Sequence, residues 1–324
     1  MKTAPHVISE SRTSPYGRAS SVMMGRQDYT SVLLRLIGME LYKLRRRLMS
    51  KVLSTIAILS MIGLFALIAV GAFYLSRGGS TPDEIASYSR SLRLPSSLYL
   101  VVQLLNTLGQ ILIIILVSTI VGGEYADKTV RLMLTRGPTR TQYLFAKVGA
   151  AAACIIVGVV GITILGIISG LLLNLSTGVS QNFDFLTLDW FDHTLLYLLI
   201  TMLGLFTYAM MALFLSTLGR ATAAGLAGVL TWSFVVEPII EVSSSFGRDI
   251  GGPMGSFFQA LPDYLIGTNI SQLQQDQSHY VYASAIIQPA ALQADLHSLI
   301  VLAVYLLLFI GLAWWVNMRR DVII

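Results

Sequence analysis

Residues 122–129 read GGEYADKT, with Gly122, Lys128 and Thr129 at the offsets of the phosphate-cradling loop G-x-x-x-x-G-K-[ST]. Such a loop grips nucleotide phosphates with converging backbone N–H groups, a lysine and a hydroxyl, so the chemistry at stake is nucleotide hydrolysis. The pattern's second glycine is replaced by Asp127, whose carboxylate would repel the phosphate oxygens. A phosphate loop also needs a buried strand before it and a helix after it. GGEYADKT instead follows LYLVVQLLNTLGQILIIILVSTIV, 24 residues without a charge. No soluble α/β domain follows that could complete a nucleotide site. On this reading the chain does not hydrolyse ATP itself.

The elements that position this stretch follow from composition. Of 324 residues, 55% are hydrophobic and 12% charged, and the mean hydropathy is +0.71. An ordinary soluble domain carries roughly 25% charged residues. About 20 consecutive apolar residues cross a bilayer as a helix. Six such runs occur, at 52–75, 98–121, 148–173, 194–218, 221–240 and 298–316. The expected fold is an all-α integral membrane protein. Residues 1–28, rich in Ser, Arg and Pro and without an apolar stretch, read as a disordered basic tail rather than a secretory signal.

Lys and Arg collect on the cytoplasmic side of a membrane. Eighteen lie before the first span, in 122–147, at Arg220 and after the sixth span, and only four in the other three connections. This split places both termini in the cytoplasm, as six spans require. The net charge of +5 then reflects topology, and no nucleic-acid partner is implied. Leu218-Gly219-Arg220 marks a tight inner hairpin between the fourth and fifth spans. Two N-x-S sequons, at Asn174 and Asn269, fall on the outer side. The single cysteine, Cys154, lies within the third span and reads as a small apolar residue.

The connection GGEYADKTVRLMLTRGPTRTQYLFAK holds seven charged residues: Glu124, Asp127, Lys128, Arg131, Arg136, Arg140 and Lys147. Placing them in lipid would cost on the order of 10–20 kcal/mol, so they are expected to be wet or to face a partner. Asp127 and Arg131 are spaced i, i+4, and Val130, Met133 and Leu134 form one stripe, which predicts a short amphipathic helix over 124–135. Arg136-Gly137-Pro138 ends it, and Thr139-x-x-Gln142 predicts a capping box for the next helix. The segment fits two roles: an interfacial helix gripping lipid phosphates, or a docking helix transmitting force from a cytoplasmic partner. Upstream, Leu33, Ile37, Leu41, Leu44 and Leu48 form an apolar stripe flanked by Lys43, Arg46, Arg47 and Lys51. That pattern predicts a helix over 29–51 lying on the inner leaflet, or else the ordinary basic flank of a first span.

Inside the spans, Gln103, Asn106 and Gln110 fall at i, i+3 and i+7, and this face should point into the protein. It either glues helices by hydrogen bonds or lines a translocation path. The fifth span ends VVEPIIEV, placing Glu237 and Glu241 at i, i+4 near the outer boundary, where Pro238 is expected to break the helix. They read as a solvated rim or as a gating carboxylate pair. Gly166-x-x-x-Gly170, Ala221-x-x-x-Gly225 and Ala224-x-x-x-Gly228 allow close helix contact, within one subunit or across a dimer seam. In the long outer connection 241–297, PMGSFFQALPDYLIGTNI is too short and interrupted to span.

With these residues in view, the chain resembles permease subunits of the ABC-2 type, the membrane half of bacterial ABC exporters. Gly123-Glu124-x-x-x-Lys128-Thr129, continuing through Met133-Leu134-Thr135-Arg136-Gly137-Pro138-Thr139-Arg140 to Lys147, is similar to that family's G-E-x-x-x-G-T-x-x-x-L-L-x-x-P-x-x-R segment. Lys128 stands where the family often has glycine. Glu40-x-x-Lys43 with Arg45, Arg46 and Arg47 resembles the family's entry to the first span, and Arg319-Arg320-Asp321 its exit from the last. The likeness covers roughly residues 30–324 and rests on the combination rather than on one motif. It implies an exporter core in the cell membrane, made of two six-span subunits, identical or different, above two copies of a separate ATPase subunit. Glu124, Asp127, Lys128, Arg131, Arg136 and Arg140 would then be the coupling residues. Helices dipping into the outer leaflet would form the 241–297 connection, as in relatives.

Other classes fit less well. His6, His193, His279 and His297 are scattered, with no H-E-x-x-H, cysteine cluster or Gly-x-Ser-x-Gly elbow, so neither an intramembrane enzyme nor a metal or other cofactor is indicated. A secondary transporter driven by an ion gradient is the alternative, but such proteins usually carry mid-membrane charge and matching halves. The reading is a transport subunit that couples ATP hydrolysis in trans to export of an amphipathic compound such as a drug or peptide antibiotic. Its candidate path residues are Gln103, Asn106, Gln110, Glu237 and Glu241.

Overall fold

The structure, a computed structural model, describes residues 29–77, 94–127, 138–177, 183–282 and 295–319. The expected tail 1–28, Lys128 to Gly137 of the inner connection, and Arg320-Asp321 lie outside the described residues. Among those described, the fold is all helix. Helix α1 spans Tyr29–Arg46, α2 Leu48–Arg77, α3 Ser97–Ala126, α4 Arg140–Thr177 and α5 Leu188–Gly219. Helix α6 runs as Thr222–Thr231, a π-helical turn Trp232–Val236, and Glu237–Ile250. Then come α7 Gly252–Ala260, a 3₁₀ turn Leu261–Tyr264, α8 Ile266–Val281 and α9 Asp295–Arg319.

Six of these, α2, α3, α4, α5, α6 and α9, are long and apolar enough to cross a membrane. Their outward faces confirm the solvent they suit: Leu67, Val157 and Leu307 are each more than 70% exposed, which a water-facing surface would tolerate poorly. Helix α5 is the axis, with 61% of its apolar window buried against 17% for α2 and α6. It packs on α3, α6, α8 and α9 around Ile114, Val117, Tyr208, Met210, Leu213 and Leu302.

Local chemistry explains most boundaries. Thr139 Oγ1 accepts the Gln142 N–H at 3.2 Å while Gln142 Oε1 accepts the Thr139 N–H at 3.0 Å, the expected reciprocal cap at the start of α4. Arg220 takes the left-handed conformation (φ 51°) that turns α5 into α6. The small-residue motifs are spent within this chain. A Cβ on Gly225 would collide with Ser216 of α5 and Ser118 of α3, and one on Gly166 with Val101 of α3 and Met61 of α2.

Three expectations are corrected. Helix α1 ends at Arg46, so 48–51 belong to α2, and Leu48 leaves the α1 stripe to stand exposed. Glu124 to Ala126 are the last turn of α3, which closes at Asp127, rather than the start of a separate helix. Helix α6 does not break at Pro238 but continues to Ile250. A π turn inserts an extra residue into the hydrogen-bond ladder, and placed just ahead of Pro238 it absorbs the N–H that proline lacks. Helix α7 packs on the end of α6, and α8 lies along α5 and against α9.

Candidate functional site

Two polar constellations lie inside this apolar bundle. The first joins α1 to the end of α3 and the start of α4. Lys147 Nζ stands 2.8 Å from Glu124 Oε2 and 3.7 Å from Glu40 Oε2. Lys43 Nζ stands 2.8 Å from Glu40 Oε1 and 3.3 Å from Glu124 Oε1. Tyr143 donates to Glu124 at 2.6 Å, and Lys147 also donates to the Ile120 carbonyl at 3.1 Å. Two carboxylates and two ammonium groups thus cancel. Glu40, Glu124 and Lys147 are 6%, 2% and 1% exposed, and charges so enclosed persist only when paired and hydrogen-bonded. Of the two environments expected for these charges, water or a partner, Glu124 and Lys147 have the second: each is the other's partner.

Around this joint the chain is tightly drawn together. Arg140 donates to the Met318 carbonyl at 3.1 Å and Asn317 donates back to the Arg140 carbonyl at 2.9 Å, so the start of α4 is tied to the end of α9. A Cβ on Gly122 would collide with the backbone of Ala221 and Thr222, so α3 meets the start of α6 at that glycine. Packing is thus what Gly122 supplies to GGEYADKT. Asp127 is exposed beside the joint, where α3 ends. Lys128, Arg131 and Arg136 fall outside the described residues.

The second constellation is a polar cavity of about 230 Å³ between α3, α5, α6 and α8. Asn106 and Gln274 exchange hydrogen bonds at 2.8 and 3.2 Å, and Gln274 also donates to Thr201 at 3.0 Å. Gln110 donates to Ser233 at 2.6 Å. Glu237, 4% exposed, accepts from Tyr208 Oη at 2.9 Å and from Trp232 Nε1 at 2.8 Å. Gly267 faces it, and a Cβ there would stand 2.6 Å from Glu237 Oε2.

Both π turns of the protein's described residues border this cavity. Asn106 and Thr107 belong to Leu105–Gly109 of α3, and Ser233 and Phe234 to Trp232–Val236 of α6. Single π turns inside α-helices occur frequently at functional sites, because the widened ladder re-aims side chains. Here it divides the expected carboxamide stripe. Asn106 and Gln110 face the cavity, whereas Gln103, one turn earlier, is exposed. The predicted glutamate pair is divided too. Glu237 lies about 22 Å along α6 from Thr222 at 1.5 Å per residue and is enclosed by the neighbouring helices. Glu241 is exposed and accepts from Thr268 at 3.2 Å, as a rim residue would.

Sequence reasoning misses Tyr208, Trp232, Ser233, Gly267 and Gln274 because they are scattered over α5, α6 and α8 with no shared spacing. The polar run Asn269, Gln274, Gln277 and Ser278, all buried in α8, is the one available signal that this outer segment turns inward. No group of three or more His, Cys, Asp or Glu side chains that could hold a metal occurs among the described residues. What the cavity offers is a carboxylate with neutral donors already on it and carboxamides beside it, which suits binding rather than bond cleavage.

A family model described as "Protein of unknown function (DUF2705)" matches residues 68–323. No curated protein matches the chain.

Proposed function

The chain belongs to the DUF2705 family, whose function is unknown, and from its own residues we propose that it is the membrane-spanning subunit of an ATP-driven exporter. In this reading it sits in the cell membrane with both termini cytoplasmic, pairs with a second permease subunit, and is driven by two copies of a separate ATPase. The observation that carries the proposal is the buried joint of Glu40, Lys43, Glu124 and Lys147. It locks the interfacial helix to the inner ends of two spans, next to the basic connection that resembles the coupling segment of ABC-2 permeases. A push on that connection would then move α1, α3 and α4 together, since breaking such a pair costs about 3–5 kcal/mol. Arg140 extends the same linkage to α9. The polar cavity, deeper in the bundle, is the corresponding place for cargo.

Glu237 favours a second reading, in which an ion gradient drives transport through a carboxylate inside the span. One experiment separates the two. The protein is co-purified with a candidate ATPase subunit, and Asp127, Arg131 and Arg136 are changed together to alanine. The export reading expects loss of assembly and of cargo-stimulated ATP hydrolysis. Unchanged assembly and stimulation would refute the docking role, and uptake by vesicles holding this chain alone under an imposed ion gradient would establish the alternative.

A further inference from the structure

The cavity beside Glu237 has a chemical preference that the export reading leaves open. Its carboxylate is held by neutral donors, the Tyr208 hydroxyl, the Trp232 indole and the Gly267 backbone N–H, and no Lys, Arg or His among the described residues lies within ion-pair distance of it. A buried carboxylate without a cation is costly, and hydrogen bonds from neutral groups only partly offset the loss of water. The remaining polar lining, Asn106, Gln110, Ser233 and Gln274, is neutral and largely hydrogen-bonded to itself, so it adds no fixed positive charge. The site is thus built to receive one positive charge.

Size and apolar lining narrow the class. At about 230 Å³ the cavity is too large for a lone metal ion, which would also want several oxygen ligands converging at short range. It is smaller than the roughly 300 Å³ at which pockets for drug-sized molecules begin. Leu205, Ile270 and the aromatic faces of Tyr208 and Phe234 line the rest, the surroundings an alkyl-substituted cation finds favourable. We propose that this cavity binds the ammonium group of an amphipathic organic amine, with Glu237 as its counter-ion and Leu205, Phe234 and Ile270 against its alkyl portion. The inference rests on the export reading only in regarding the amine as cargo. Binding itself belongs to the isolated chain, so its failure and a failure of ATPase coupling are seen in different assays.

The test uses the full chain in detergent at 0.15 M NaCl, with hexylammonium, hexanol and hexanoate as probes and tryptophan fluorescence as the signal, since the Trp232 indole touches Glu237. Saturable binding of hexylammonium at least tenfold tighter than either analogue is expected, with at least a tenfold loss in Glu237→Gln. Equal binding of hexanol, no saturable hexylammonium signal, or a fluorescence change that follows pH but not the amine overturns the proposal. Carbodiimide labelling of the wild-type protein, read by mass spectrometry, serves if Glu237→Gln does not fold. Hexylammonium should protect Glu237 from labelling and hexanol should not; equal labelling with and without the amine overturns the assignment to Glu237.

Discussion

Replacing Lys147 with methionine should destabilise the protein more than any other single change in the buried joint. Methionine keeps most of the side-chain volume and removes the charged ammonium group with its hydrogen-bond donors. The two carboxylates, Glu40 and Glu124, would then share Lys43 alone, whose side chain is 29% exposed, and one negative charge would stand uncompensated in a site from which water is excluded. Losing one member of a buried pair costs about 3–5 kcal/mol. The lost hydrogen bond to the Ile120 carbonyl and the cation 4.8 Å from the Tyr143 ring centre belong to the same side chain and are included in that figure. For a helical domain of this size the cost corresponds to a fall of about 10 °C in apparent Tm. Thermal unfolding in detergent, followed by circular dichroism, measures it. The double variant Lys147→Met, Glu124→Leu should recover much of the loss, because it removes both charges and leaves Lys43 with Glu40. A Lys147→Met protein melting within about 2 °C of wild type, or a double variant no better than the sum of its parts, would refute the account of the joint.

Three further outcomes follow from particular contacts. Gly122→Ala should lower stability by about 1–3 kcal/mol in the same melting assay, because the added methyl meets the backbone of Ala221 and Thr222 rather than a movable side chain. Asn106→Leu or Gln274→Leu alone should cost about 1–3 kcal/mol by orphaning the partner carboxamide, whereas the double change should cost less than either and still abolish hexylammonium binding. Asp276, half-buried in α8, is raised from the ordinary 3.8 to about 6, first by its hydrogen bond with Asp295, then by burial and the charge of Asp295. A carboxyl with a raised pKa stabilises the fold fully below its unfolded value and loses that contribution as pH rises through the folded one. The α8–α9 contact should therefore weaken between about pH 4 and 6, and Asp276→Asn should flatten the dependence of Tm on pH across that window.

Much of the architecture was legible because it is local. Run length and the absence of charge sufficed for the six spans, since backbone groups in lipid must be satisfied within the helix itself. Thr139 and Gln142 cap each other across three residues, and Arg220 makes the turn between α5 and α6 where a hairpin was expected. Even the inward face of Asn106 and Gln110 could be read, because an unpaired carboxamide is unwelcome in hydrocarbon. Gln103 could not, since a π turn leaves no pattern in the residues it comprises, and one inserted residue rotates everything on either side of it.

The partners of the charges depended on the tertiary structure. Glu40 and Lys147 are 107 positions apart, and nothing in either neighbourhood names the other; only the packing of α1 on α4 brings their groups to 3.7 Å. Glu237 sits in a stretch that reads first as a wet rim, and it is enclosed because α8 folds back and lays Gly267 against it. Hydropathy is a property of neighbouring residues and places a segment in the membrane or out of it. Whether a charge inside that segment meets water, lipid or another charge is a matter of helices distant in sequence, and so belongs to the fold.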